Sequence, residues 1–133
     1  MTARYLLDTD WVIHYLNANA AIVQRVDVSR ADGVAVSIVT VAELYEGVYG
    51  STDREATEHS VEQFLRGVPI LGIDEPVARR FGQERARLRT AGQLIGDVDL
   101  LIGATALTHG LTLLTNNRRH FERLEGLVLE SVA

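Results

Sequence analysis

The sequence predicts an α/β fold: a three-layer α/β/α sandwich around a mostly parallel sheet. Three observations predict it. Short apolar or β-branched runs alternate with longer segments of helical periodicity. No tight hairpin signal joins two of those runs, so consecutive strands need crossovers. The chain has 133 residues, 47% of them hydrophobic, enough for one domain with a core of its own. Residues 1–133 are read as that single domain.

The elements follow in order. Residues 5–7 read as a short buried strand, and residues 11–18 as a helix. Residues 34–39 are rich in β-branched types and read as a second strand. Val41, Leu44 and Val48 stand at helical spacing, so a helix follows. Residues 54–66 form another helix, with Val61 and Leu65 on one face. Residues 69–73 are a third strand, and Val77, Phe81 and Leu88 mark a further helix. Residues 97–109 form a helix stopped by Gly110. Residues 111–114 and 127–129 supply the last two strands. The stretch 100–117 carries no Asp, Glu, Lys or Arg, but Thr105, Thr108, His109, Gly110 and Thr112 interrupt it. Helix, turn and strand therefore fit it better than a membrane span. Asp8 and Asp10 come too early for a signal peptide, and a cytoplasmic protein is the expectation.

Composition narrows the chemistry. Without cysteine there are no disulfides and no thiolate metal ligands. All 13 basic residues are arginine, which excludes any mechanism needing a catalytic lysine. The net charge of −5 argues weakly against nucleic-acid binding, yet the charge is uneven. Residues 1–62 hold ten acids and four arginines; residues 63–133 hold eight acids and nine arginines. Five of those arginines lie between Arg79 and Arg89 and read as a solvated helix face.

In open parallel sheets, ligands gather at the carboxyl ends of the strands. Asp8 and Asp10 end the first strand, and Asn116 and Asn117 end the 111–114 strand. Glu43 falls in the first turn of the helix after the second strand. Asp97 and Asp99 open the helix before residue 111, and Asp8, Glu43, Asp97, Asp99 and Asn117 are the candidate catalytic residues. Acids from distant segments thus meet at one edge, where burial without a cation costs several kcal/mol each. Oxygen-only ligation suits Mg²⁺ or Mn²⁺, and such a metal serves phosphodiester hydrolysis.

Each residue also has a structural reading. Asp10 caps the first helix. Thr40 to Glu43 fits a capping box. Asp97 caps its helix, Asp99 favours the helix dipole, and the asparagines are turn residues. His14, His59, His109 and His120 show no metal-ligand spacing and read as surface or core histidines. Asp99 shares a helix face with Ile102, Gly103 and Ala106, whose small members allow close approach to the sheet. Two aromatic pairs stand at i, i+4, Trp11 with Tyr15 and Tyr45 with Tyr49; core packing is their first reading, and the offset of Tyr45 and Tyr49 from Val41, Leu44 and Val48 offers a protein-docking face near the acids as the second.

Four segments in order, LLDTDWVIHYL, SIVTVAELYEG, IGDVDLLIGATAL and LTLLTNNRRHFERLEGL, resemble the four blocks of PIN domains. They are most similar to the VapC toxins of toxin–antitoxin pairs. The likeness runs from Tyr5 to about Leu127. It implies Mg²⁺- or Mn²⁺-dependent cleavage of RNA, a homodimer or larger toxin–antitoxin complex, and a VapB-type antitoxin that blocks the site. By motif position, Asp8, Glu43 and Asp99 match the family acids, and Asn117 a fourth polar position. His120 stands where an Asp or Glu often precedes the phenylalanine, here Phe121. Gly103 replaces a usual alanine, which is expected to matter little.

Rival readings remain at this stage. Asp8-Thr9-Asp10 also suits a phosphatase of the haloacid dehalogenase type or a phospho-acceptor receiver domain. Both normally use a lysine, and the phosphatase reading leaves Glu43 without a role. A third alternative is a PIN-like module that only binds.

Overall fold

The computed structural model describes residues 3–132. Five strands form one sheet in the order β3-β2-β1-β4-β5: β1 (Tyr5–Leu7), β2 (Val34–Ser37), β3 (Ile70–Leu71), β4 (Thr112–Leu114) and β5 (Leu129–Glu130). Every pairing is parallel, with Tyr5 opposite Val34 on one side and Thr112 on the other. Among the described residues, seven α-helices connect them: α1 (Thr9–Leu16), α2 (Ala20–Ser29), α3 (Ile38–Tyr49), α4 (Arg54–Leu65), α5 (Glu75–Thr90), α6 (Asp97–His109) and α7 (Arg118–Phe121).

Successive side chains of a strand point to opposite faces, and the core divides accordingly. Tyr5, Leu7, Val34, Val36 and Leu114 pack with Trp11, Val26, Leu44 and Phe64 of α1–α4. Leu6, Ala35 and Leu113 pack with Leu88, Ile102, Ala106 and Phe121 of α5–α7. These are the three layers expected, and burial on both faces explains why the strands read as unbroken apolar runs.

Two helices were not foreseen. α2 follows a break at Ala18, which takes a left-handed φ of 61°, and Asn19 caps it by accepting from the Ile22 amide at 3.2 Å. α7 is a single turn between β4 and β5. The second strand also ends two residues early. Ser37 accepts from the Val39 amide at 3.0 Å, so the cap winds Ile38 and Val39 into α3 despite their β-branching. Gly110 ends α6 as expected, with a left-handed φ of 66°. Among the described residues, no helix is long and apolar enough to cross a membrane.

Candidate active site

The strand order reverses direction at β1. The chain builds outward to β2 and β3 on one side and to β4 and β5 on the other, so the carboxyl edge between β1 and β4 is a topological switch point. Asp8 sits there, immediately after β1. Its backbone N–H donates to the Leu114 carbonyl at 3.0 Å, which extends the β1–β4 ladder and holds the residue at the edge. Its carboxylate is buried, 4% exposed. Oδ1 accepts from the Thr9 amide at 2.8 Å, which makes Asp8 the cap of α1. Oδ2 accepts from the Thr115 hydroxyl at 2.8 Å. Burial raises the pKa from 3.8 to about 6; the Thr115 bond opposes this, and the charges of Asp10 and Asp99 add to it.

Glu43 approaches Asp8 through Thr9. The Thr9 hydroxyl donates to Glu43 Oε1 at 2.5 Å and lies 2.9 Å from the Thr40 hydroxyl. An ionised carboxylate only accepts, so the Thr9 proton goes to Glu43, and Thr40 is left to donate to Thr9. Glu43 is the sixth residue of α3, in its second turn rather than its first. The capping box does not form: Ser37 caps the helix, and Thr40 is a buried residue inside it.

Asp99, the third residue of α6, is reached from the loop after β4. Its Oδ2 accepts from Asn117 Nδ2 at 3.3 Å and lies 3.1 Å from His120 Nδ1. Asn117 is itself held by its N–H to the Thr115 hydroxyl at 2.9 Å, so Thr115 links the Asp8 and Asp99 ends. Ile102, Gly103 and Ala106 of α6 are buried, as the helical spacing predicts, but Gly103 meets Leu124 and Phe121 rather than the sheet. A β-carbon on Gly103 would lie 2.2 Å from a terminal methyl of Leu124, so the missing side chain brings the segment after α7 close to α6.

Asp97 stands apart. Gly96 is the cap residue and no side chain caps the helix, so the capping reading of Asp97 fails. Its exposed carboxylate pairs with Arg85 at 3.5 Å. Asp10 does not cap α1 either, because Asp8 does. Asn116 is structural: its Oδ1 accepts from Trp11 Nε1 at 3.2 Å and from the Val132 amide at 3.1 Å. The sequence does not reveal the site roles of Thr9 and Thr115, offers Thr40 only as a cap, and marks His120 by its motif position without its contact to Asp99. The run Thr115-Asn116-Asn117 after an apolar strand was the one available signal.

Of the two aromatic pairs, Trp11 is a core residue. Tyr15 lies edge-on to Phe64 with ring centroids 5.5 Å apart. Tyr45 packs partly against the same core, while Tyr49 is 59% exposed. The open surface beside the acids is instead a cleft of about 630 Å³ between α1, α3 and α4. Ile13, Leu16, Leu44 and Val61 line it, and Glu43 stands on its wall.

The donor set is carboxylate, hydroxyl and amide oxygen with one imidazole, which suits a hard divalent cation. Neither Asp8 nor Glu43 pairs with a basic side chain among the described residues. A buried acid pressed by two other acids favours a cation. Even so, no three acidic or histidine side chains among the described residues already stand around one point at ligating distance.

Comparison with known proteins agrees with this geometry. The PIN domain family model matches residues 5–127. Ribonuclease VapC2 of Haemophilus influenzae is 37% identical over 128 residues, covering 96% of this chain and 97% of that protein. The tRNA(fMet)-specific endonuclease VapC of Shigella flexneri is 33% identical, with 96% of each chain covered. A crystal structure of VapBC2 from Rickettsia felis, bound to a DNA fragment from its promoter, superposes with a TM-score of 0.91 at 28% identity. It covers 97% of this chain and 98% of that one.

Proposed function

The chain belongs to the PIN-domain family, in its VapC ribonuclease branch, and on that premise we propose that it is a metal-dependent endoribonuclease, the toxin of a toxin–antitoxin pair. The observation that carries the reading is Asp8, a buried carboxylate at the sheet's switch point, raised to a pKa of about 6 by burial and by neighbouring acids. The natural partner for that arrangement is a divalent cation, Mg²⁺ or Mn²⁺.

Asp8, Asp99 and Glu43 are the residues to hold it. When bound, the cation activates water and offsets charge on the scissile phosphate. The chain's own residues do the rest. Thr115 and the Thr9 amide fix the Asp8 carboxylate. Thr9 fixes Glu43 by Oε1 and leaves Oε2 to accept a hydrogen bond from the attacking water. Asn117 fixes Asp99. Asp97, tied to Arg85, orients the helix entry rather than the reaction.

The likeness to solved toxin–antitoxin complexes supports a VapB-type antitoxin as partner; the apolar cleft beside Glu43 is the seat we assign to it. The names of the relatives, ribonuclease and tRNA-specific endonuclease, support RNA as the substrate; a homodimer in the cytoplasm is part of the same proposal. The phosphatase reading loses its basis, since no lysine exists and the whole-chain likeness is to nucleases. The test is cleavage of cellular RNA by purified, antitoxin-free protein with Mg²⁺ or Mn²⁺. Activity should stop in EDTA. Cleavage that continues unchanged in EDTA overturns the metal, and absence of cleavage with every metal favours a module that only binds.

A further inference from the structure

His120 lies in the single turn of α7, with its side chain 42% exposed. Its neighbour Phe121 is fully buried in the α5–α7 layer and anchors that turn. Gly103, one helical turn after Asp99, lets Leu124 and Phe121 settle against α6 with no β-carbon between them. The backbone thus delivers the imidazole to Asp99, 21 residues away in sequence, with Nδ1 3.1 Å from Oδ2. Asn117 Nδ2 lies 3.3 Å from the same oxygen and 3.2 Å from His120 Nδ1.

Donor bookkeeping fixes which of these contacts are bonds. An ionised carboxylate has no proton to give, so a contact of 3.1 Å to Asp99 requires the ring proton on Nδ1. The ring carries that proton both in its Nδ1–H tautomer and in its charged form. Nδ1 then cannot accept from Asn117, and the amide's own bond goes to Oδ2. Two N–H donors from one short segment therefore converge on one oxygen of Asp99. Among the described residues, Oδ1 has no hydrogen-bond partner.

We propose that His120 is a positioning residue for the metal centre: its Nδ1–H, with the Asn117 amide, holds Asp99 by Oδ2 so that Oδ1 is presented to the divalent cation. The inference rests on the metal-dependent reading above. It assigns the imidazole to orienting a ligand. Outer contacts of this kind typically change metal affinity by about 10–100-fold when removed.

The experiment is calorimetric titration of Mn²⁺ into the full-length, antitoxin-free protein, with the thermal transition of each variant recorded alongside. His120→Asn keeps an N–H near the Nδ1 position. His120→Gln carries its amide at the Nε2 position, and His120→Ala carries none. His120→Ala and His120→Gln are expected to bind Mn²⁺ at least about tenfold more weakly than the parent. His120→Asn is expected to stay within about threefold, which is the rescue that distinguishes the Nδ1 donor from mere packing. Equal affinity in the parent and in folded His120→Gln overturns the inference while leaving the metal site standing. So does His120→Asn binding as weakly as His120→Gln. A parent protein that binds no Mn²⁺ overturns the functional reading, and this inference with it.

Discussion

The Thr9 hydroxyl donates to Glu43 Oε1 at 2.5 Å, joining α1 to α3 across 34 residues of sequence. The bond holds Glu43 without neutralising it. Thr9→Val keeps the shape and removes the donor. Cleavage is expected to fall about tenfold, at the lower end of the cost of removing a hydrogen-bond partner of a metal ligand. The Thr40 hydroxyl then loses its partner, a loss of about 1–3 kcal/mol for a buried group. Single-turnover rates and thermal unfolding measured together check both parts; an unchanged rate would remove Thr9 from the site.

Asp8 links stability to pH. Its folded pKa is raised from 3.8 to about 6, chiefly by burial. Between those values the folded protein holds a proton that the unfolded chain has released. Its contribution to stability therefore falls as pH rises through that window, and the whole loss stands above pH 6. The shift corresponds to about 3 kcal/mol. Asp8→Asn should keep both hydrogen bonds, because Asn caps a helix well and the Thr115 hydroxyl can accept. In EDTA at pH 7 this variant is expected to be more stable than the parent by up to about 3 kcal/mol, with the difference vanishing below pH 4, and to be inactive. A variant that is less stable at pH 7 contradicts this account.

Asp99 and Asp97 separate cleanly. Asp99→Asn is expected to abolish Mg²⁺-dependent cleavage with folding retained. Asp97→Asn is expected to keep measurable activity. Its stability change should stay below about 1 kcal/mol, since the Asp97 side of its pair with Arg85 is largely exposed and no cap bond is lost. A folded, inactive Asp97→Asn would return Asp97 to the catalytic set.

Gly47 tests the cleft. It lines the cavity beside Glu43, and nothing stands within 4 Å of a β-carbon built there. Gly47→Leu should stabilise α3 by up to about 1 kcal/mol through helix propensity, while filling the groove. Antitoxin affinity is expected to drop at least tenfold, by about 1.4 kcal/mol or more. Tyr49→Ser, on the exposed flank, is expected to matter less. Undiminished affinity of Gly47→Leu would move the antitoxin to another surface.

Much of the fold was legible because burial leaves a periodic trace. Residues 5–7 and Leu111, Leu113 and Leu114 are apolar because helices cover both faces of their strands. Gly110 announced the end of α6 by the conformation it adopts. The positions of Asp8, Glu43 and Asp99 were legible because strand ends and helix starts share an edge of a parallel sheet. What stayed hidden lacks local spacing. The Thr115–Asp8 and Thr9–Glu43 bonds span 107 and 34 residues, and no window along the chain contains either. The Thr40–Glu43 spacing misled because Ser37, three residues earlier, took the cap. Trp11 and Tyr15 pack against the core, the first reading of their spacing, while the cover of Tyr15 by α2, which the sequence does not announce, was hidden.

The bond from Thr115 to Asp8 has a meaning in time as well as in space. A ribosome delivers Asp8 first and Thr115 only 107 residues later, about 5–20 s later at typical bacterial elongation rates. Asn117 and His120 follow Thr115. Until that segment has emerged and β4 has slotted beside β1, Asp8 lacks the Thr115 hydroxyl and Asp99 lacks both its donors. A nascent chain carries every carboxylate long before it carries the groups that aim them. A nuclease built this way completes the hydrogen bonds that aim Asp8 and Asp99 only once synthesis has passed that point.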